Sequence, residues 1–101
     1  MMTTVTMTEI LDDLRAADEI TRRFERRYWL SSADFYSLYQ QGLLDDGEHI
    51  EDFALWAGFY QVKLDRESAL QMLSHERLKR LRGQSDKDSI AIDPREPALA
   101  V

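Results

Sequence analysis

Five carboxylates within eight residues are the feature of this chain with the clearest chemical potential: Asp45, Asp46, Glu48, Glu51 and Asp52. Carboxylate oxygens are the ligands that Mg²⁺ and Ca²⁺ prefer in proteins. If a helix begins within this segment, Glu48 lies three and four positions before Glu51 and Asp52. Side chains at these spacings share one face of a helix, so their carboxylates could converge on a cation.

A metal-dependent hydrolase would need a second acidic helix beside the first. Paired helices with ExxE or ExxD motifs are the layout of magnesium-dependent nucleotide pyrophosphohydrolases, and here the second motif would be Glu9 with Asp12 or Asp13. The additional acids that this family carries deeper in a long helix pair are missing, and the alternating acids of a calcium loop are also missing. We therefore expect no bound metal and no cofactor, and the hydrolase is kept as the enzyme alternative. The acids are better interpreted as residues favoured at a helix start and as a docking patch for a basic partner.

No arrangement for nucleophilic catalysis is recognisable. His49 and His75 have no nucleophile pattern near them in the sequence, no serine lies in a GxSxG elbow, and the chain contains no cysteine. We predict that the protein is not an enzyme and assign no catalytic residue.

Two basic segments interrupt an otherwise acidic chain of net charge −6. One is RRFERR at 22–27 and the other is ERLKRLR at 76–82. Arginines of this kind can contact phosphates, but the net charge disfavours general nucleic-acid binding, and no convincing helix-turn-helix pattern is present. We interpret them as solvated faces with ion pairs. A DNA-binding autoregulator is the other alternative, less favoured, and it would use Arg22, Arg23, Arg26 and Arg27.

Most aromatic residues of the chain lie between Phe35 and Val62, on both sides of the acidic segment. The helix predicted after that segment is apolar on more than one face, which is typical of a helix that is buried centrally or joins an interface. A chain of 101 residues can hardly cover every side of such a helix, so we expect a core on one side and a partner, most simply a second copy, on the other. The predicted partner-binding residues are Asp45, Asp46, Glu48, Asp52, Trp56, Phe59 and Tyr60.

The periodicity of apolar residues predicts the elements that position these groups. A first helix is expected over 8–28, with Thr8 as its N-cap and arginines near its C-terminus, where they complement the helix dipole. A second helix is expected over 32–41 after a serine cap, and Gly42 suits a left-handed C-terminal cap. A turn follows at Asp45–Gly47, and a third helix is expected to begin near Glu48.

The length of the third helix is open between two possibilities. If it continued to Gly83 it would be about 50 Å long and would project to pack on another chain. Alternatively, it breaks near Leu64–Arg66, where the apolar phase shifts and Asp65 could cap a fourth helix over 66–82. We expect a break or a kink at this point.

These elements define an all-α fold of three to four helices with a long or kinked C-terminal helix. We expect one helical domain over residues 1–82 and a mostly disordered tail over 83–101, in which Ile90, Ile92, Leu99 and Val101 could dock on a partner. The absence of cysteine fits a reducing cytosol, the N-terminus has no signal-peptide pattern, and no apolar run is long enough for a membrane span. We therefore predict a cytoplasmic protein that does not associate with membranes.

The segment from Tyr28 to Leu64 resembles small bacterial and cyanobacterial proteins that are encoded beside toxin-like genes and named as antitoxins. The shared pattern is a tyrosine, a serine cap, a short phenylalanine-containing helix, a Gly–acid turn, and an acid followed by tryptophan and a further aromatic. In this sequence its positions are Tyr28, Ser31, Ser32, Phe35, Gly42, Asp45, Asp46, Asp52, Trp56 and Tyr60. The resemblance covers about a third of the chain and implies an all-α, acidic, dimer-prone neutraliser of a toxin, with no catalytic residue. We therefore predict a small acidic interaction protein that neutralises a partner toxin by stoichiometric binding.

Overall fold

The computed structural model describes residues 5–84 and 89–94. It contains three helices, α1 (Met7–Tyr28), α2 (Ser32–Gln40) and α3 (Ile50–Gly83), and the predicted all-α class is confirmed. The chain divides into two compact units, Met1–Leu70 and Gln71–Val101, which are treated separately below. None of the described helices carries an apolar stretch long enough to cross a lipid bilayer.

Helix α1 begins one residue before the prediction because its cap is Thr6, not Thr8. The Thr6 hydroxyl accepts the N–H of Glu9 at 3.1 Å, and the Glu9 carboxylate accepts the N–H of Thr6 at 3.2 Å, which completes a capping box. Its buried face is formed by Ile10, Ala17, Thr21 and Phe24, whose spacings of seven, four and three residues place them on one side of the helix.

Helix α2 follows α1 after a three-residue connection and begins as predicted. Ser31 is its N-cap, and the Ser31 hydroxyl accepts the N–H of Asp34 at 3.1 Å. This short helix packs Phe35 into the core and leaves most of its opposite side in solvent.

Helix α3 is continuous over Ile50–Gly83. The expected break at Leu64–Arg66 and the fourth helix capped by Asp65 are therefore wrong. The segment contains no proline, and Gly58, the glycine inside the helix, does not interrupt it. Arg66 lies in the supposed break, but its guanidinium pairs with Asp13 of α1 at 2.9 Å. At the point where the apolar phase shifts, the helix therefore continues and is tied to α1 by an ion pair.

The core of the first unit is a stack of aromatic rings centred on Trp56, which is fully buried. The rings of Phe35 and Trp56 lie 3.8 Å apart and nearly parallel, with Phe24 and Tyr28 stacked on Trp56 at 5.5 and 5.7 Å. All three helices therefore contribute to one aromatic cluster, which Phe53 and Ala57 complete.

A hydrogen-bond chain satisfies the polar atoms beside this stack. The indole N–H of Trp56 donates to the Ser32 hydroxyl at 2.9 Å, and that hydroxyl donates to the Glu25 carboxylate at 2.8 Å. Glu25 also accepts the N–H of Ser32 and the guanidinium of Arg22. Partial burial by itself would raise the pKa of Glu25, but these hydrogen bonds and the charge of Arg22 outweigh it and lower the pKa.

In the second unit, the guanidinium of Arg77 donates to the carbonyl oxygen of Asp93 at 2.8 Å. Ile90 and Ile92 are exposed. The predictions for Leu99, Val101 and most of the 83–101 tail concern residues outside the described ranges.

Candidate functional site: an acid-bordered apolar groove

A concave apolar site lies where the end of α2 meets the start of α3. It is a cavity of about 240 Å³ lined by Tyr39, Gly42, Leu44, Asp45, Ile50 and Phe53. Phe53 is buried, whereas Tyr39 is 39% exposed and Ile50 is 55% exposed. The neighbouring Leu43 is 64% exposed. Asp45 contributes the carboxylate among these lining residues.

The C-terminal end of α2 shapes one side of the groove. The N–H of Leu43 donates to the carbonyl of Leu38 at 3.2 Å, and the N–H of Gly42 donates to the carbonyl of Tyr39 at 3.1 Å. This pair of bonds is a Schellman motif, and it requires the left-handed conformation that Gly42 adopts at φ +72°. The predicted glycine cap is therefore confirmed, and it ends α2 so that Leu43 and Leu44 follow in the connecting turn.

The turn that precedes α3 is organised by the carboxylate of Asp46. One oxygen accepts the N–H groups of Glu48 and His49 at 2.9 and 3.1 Å, and the other lies 3.1 Å from Nδ1 of His49. The hydrogen bond with the His49 ring, followed by those from the two N–H groups, lowers the pKa of Asp46 to about 2. The His49 ring in turn meets the Tyr28 ring edge-on at 5.7 Å, which holds the turn against α1.

The acids of the turn fall into two groups with different environments. Asp46 is bonded within the turn before α3, and Asp52 accepts the Tyr28 hydroxyl at 2.5 Å and lies 3.3 Å from Nε of Arg27. The other three are Asp45, Glu48 and Glu51, which are exposed and pair with no basic side chain in the described part of the chain. Asp45 lines the groove itself, whereas Glu48 and Glu51 line an adjoining depression that shares Ile50 with the groove and also contains Arg27. The fold therefore leaves three carboxylates unpaired on this side of the molecule, and one of them lies in the groove.

The predicted partner-binding residues lie in different environments in the structure. Trp56 is 0% exposed and forms the centre of the core, so its prediction as a partner contact is wrong: its ring faces Phe35 and its N–H is bound by Ser32. Phe59 and Tyr60 are half-buried, with the Tyr60 ring 5.3 Å from that of Tyr36. They do not line the groove, since they follow Ile50 by nine and ten residues, roughly 14 Å along a helix.

Sequence reasoning missed the apolar lining of the groove. Tyr39 and Ile50 occupy positions that a helical repeat assigns to the core, and they are exposed here because the connecting turn does not cover them. A signal was present in the turn itself, where Leu43 and Leu44 stand between a glycine and two aspartates. Apolar residues in a polar turn are either buried or available to a ligand.

The acids named for the metal-dependent hydrolase alternative lie within the described residues, where their environments can be compared. Among residues 5–84 and 89–94, no three histidine or acidic side chains lie close enough to hold a metal ion. The supposed second motif is occupied elsewhere: Glu9 belongs to the capping box, Asp12 lies 3.4 Å from Arg15, and Asp13 pairs with Arg66.

The arginines near the end of α1 are largely paired within the chain. Arg22 lies 2.8 Å from Glu25 and 3.4 Å from Asp18, Arg23 lies 2.9 Å from Glu19, and Arg27 pairs with Asp52. Arg26 is exposed and has no ion pair in the described ranges. Three of these four cations would have to give up an internal partner to bind DNA phosphates, which agrees with the interpretation as an ion-paired face.

Comparison of the chain with protein-family models, with curated proteins and with solved structures finds no match. The resemblance to antitoxins therefore stays a prediction.

Proposed function

We propose that this protein acts by stoichiometric binding to another protein, with the acid-bordered groove as its contact surface. The observation that carries the proposal is an open apolar groove lined by the exposed, unpaired carboxylate of Asp45, with those of Glu48 and Glu51 around the adjoining depression. The chemistry of the partner follows from that combination: an apolar side chain fills the groove, and neighbouring lysines or arginines face Asp45, Glu48 and Glu51.

The two components of the site have different energetic roles. Burying one side chain of leucine or phenylalanine size in the groove contributes about 1.5–3 kcal/mol. The carboxylates are exposed, so they contribute little to affinity at physiological salt, but they accelerate the encounter with a basic partner. A chain of net charge −6 adds to this long-range attraction.

More specifically, we propose that the partner is a toxin and that this protein covers a basic, RNA-facing or nucleotide-facing site on it. An acidic neutraliser of this kind works by occlusion and needs no catalytic group. The antitoxin resemblance of residues 28–64 supports this form of the proposal, since the groove lies within that segment.

The test is co-expression of the affinity-tagged chain with the product of the adjacent gene. We expect a 1:1 complex to co-purify and the growth defect caused by the partner to be relieved. Glu48→Lys should slow association at least severalfold at low salt, and the difference should shrink as salt rises.

Glu67→Lys is the matched control, because it makes the same charge change at an exposed α3 position that lines neither the groove nor the adjoining depression. Failure of the two proteins to co-purify would count against the toxin partner. Equal association rates for Glu48→Lys and Glu67→Lys would show that the acids beside the groove do not receive the partner.

A further inference from the structure

Trp29 is the most conspicuous residue that the fold does not use. Its side chain is 91% exposed, although tryptophan is among the largest apolar side chains. It also adopts a left-handed backbone conformation, φ 56° and ψ 45°, as the C-cap of α1. No other non-glycine residue in the described ranges has a positive φ.

This backbone position normally favours glycine or asparagine, because a Cβ is strained there. The backbone role of Trp29 is to donate its N–H to the carbonyl of Glu25 at 2.8 Å, which any non-proline residue would do. The ring therefore adds nothing to the fold of the monomer, and the backbone would be less strained without it. An exposed tryptophan fixed at a defined point on a helix end is typical of an interface anchor.

The surroundings of Trp29 define what it would meet. It shares a shallow surface depression with Arg22, Glu25 and Arg26. Arg22 is held by Glu25 and Asp18, whereas Arg26 is exposed and has no ion pair in the described part of the chain. The end of α1 thus presents an indole ring beside one available guanidinium.

An indole beside a guanidinium is complementary in chemistry to the acid-bordered groove. The groove offers apolar walls from Tyr39, Leu44 and Ile50, and a carboxylate from Asp45. A molecule's own Trp29 does not fill its own groove, because the ring is almost fully in solvent. Both complementary parts are therefore present and unoccupied in each copy.

We propose that a second copy of this chain occupies the groove, with Trp29 of one copy seated between Tyr39 and Ile50 of the other and Arg26 facing Asp45. Because each copy carries both parts, a two-fold pair forms the contact twice. This inference rests on the proposed function in that the groove receives an apolar side chain beside a cation. Its consequence is competition: a partner protein that binds the groove separates the pair.

Sedimentation velocity between 1 and 300 µM (roughly the range over which weak homodimers form) tests the proposal. The wild-type mass should rise from 11.8 kDa towards twice that value. Trp29→Gly should raise the dissociation constant at least about tenfold. This variant relieves the backbone strain, so a loss of folding would not explain its monomeric mass.

The complementary variant is Ile50→Asp, which places an acid in the first turn of α3 and should also be monomeric. Mixing Trp29→Gly with Ile50→Asp should give a heterodimer that keeps one of the two contacts, because one copy supplies the groove and the other supplies the indole. This heterodimer should be weaker than the wild-type pair but tighter than either variant with itself. Leu11→Asp, at a 48% exposed site on α1, is the matched control and should associate as the wild type does.

Three results would overturn the proposal: a monomeric wild type at every concentration, undiminished association of Trp29→Gly, or no heterodimer in the mixture. A failure of the self-association proposal can be distinguished from a failure of the proposed function, because the Trp29→Gly variant keeps the groove. If the wild type is monomeric yet binds the co-expressed partner in a Glu48-dependent way, only the self-association is wrong. If Ile50→Asp still binds that partner as tightly as the wild type, the groove itself is not the contact.

Discussion

Replacing Ser32 with alanine should destabilise the first unit far more than the loss of one hydroxyl from a helix start normally does. Ser32 is 3% exposed, and its hydroxyl joins the indole N–H of Trp56 to the carboxylate of Glu25. Without it, a fully buried N–H loses its partner, at a cost of about 1–3 kcal/mol, and Glu25 loses one of its hydrogen bonds. Glu25 keeps the Ser32 N–H and Arg22, so we expect a total of about 2–4 kcal/mol.

Urea unfolding followed by circular dichroism at the helical minimum measures this change. Ser31→Ala is the matched control, because it removes the neighbouring, exposed hydroxyl that caps α2, and it should cost about 1 kcal/mol. In a Trp56→Phe background the indole N–H is already absent, so Ser32→Ala should cost at least about 1 kcal/mol less than in the wild type.

The same substitution should change the acid dependence of stability. The pKa of Glu25 is lowered on folding, so its contribution is present above its unfolded pKa and is lost as the pH falls through the lower folded value. Ser32→Ala removes one cause of that lowering and should flatten the dependence in this range. A Ser32→Ala variant that unfolds at the same urea concentration as Ser31→Ala, with no coupling to Trp56, would refute the assignment of a structural hydrogen-bond chain.

Two further predictions concern the connection that shapes the groove. Gly42→Ala should destabilise the fold by about 1–2 kcal/mol, because the φ of Gly42 is +72° and a Cβ is strained there. Gly58→Ala should stabilise it by up to about 1 kcal/mol, because Gly58 is an exposed helical residue with open space around it. Urea unfolding measures both changes, and equal shifts in the two variants would contradict this reasoning. Hydrogen bonds from the His49 ring and from the Glu48 and His49 N–H groups lower the pKa of Asp46 from 3.8 to about 2. The contribution of the Asp46 carboxylate to stability is therefore present above pH 3.8 and disappears as the pH falls through about 2. Asp46→Asn should therefore flatten the acid limb of the stability curve between these pH values in denaturation monitored by circular dichroism. An unchanged limb would argue against a stabilising role of the Asp46 carboxylate in this turn.

The helical elements could be predicted from the sequence because their signals are local. The face of α1 over Ile10–Phe24, the serine cap before α2 and the glycine after it depend on periodicity and on backbone preferences at single positions. The continuation of α3 through Leu64–Arg66 could not be predicted in this way. The shift of the apolar phase at Leu64–Arg66 looks like a helix end in the sequence, and the ion pair of Arg66 with Asp13 on another helix is visible only in the tertiary structure.

For the candidate site, too, some features follow from the sequence and others only from the tertiary structure. The sequence by itself determined that an acidic turn separates two apolar helices and that no catalytic motif accompanies it. Only the tertiary structure decided which apolar residues meet the solvent, because exposure depends on what the other helices cover. It buried Trp56 under Phe35 and Ser32, and it left Ile50 and Trp29 in the open. It also decided which charges are available, since pairing within the chain neutralises Asp52 but not Asp45.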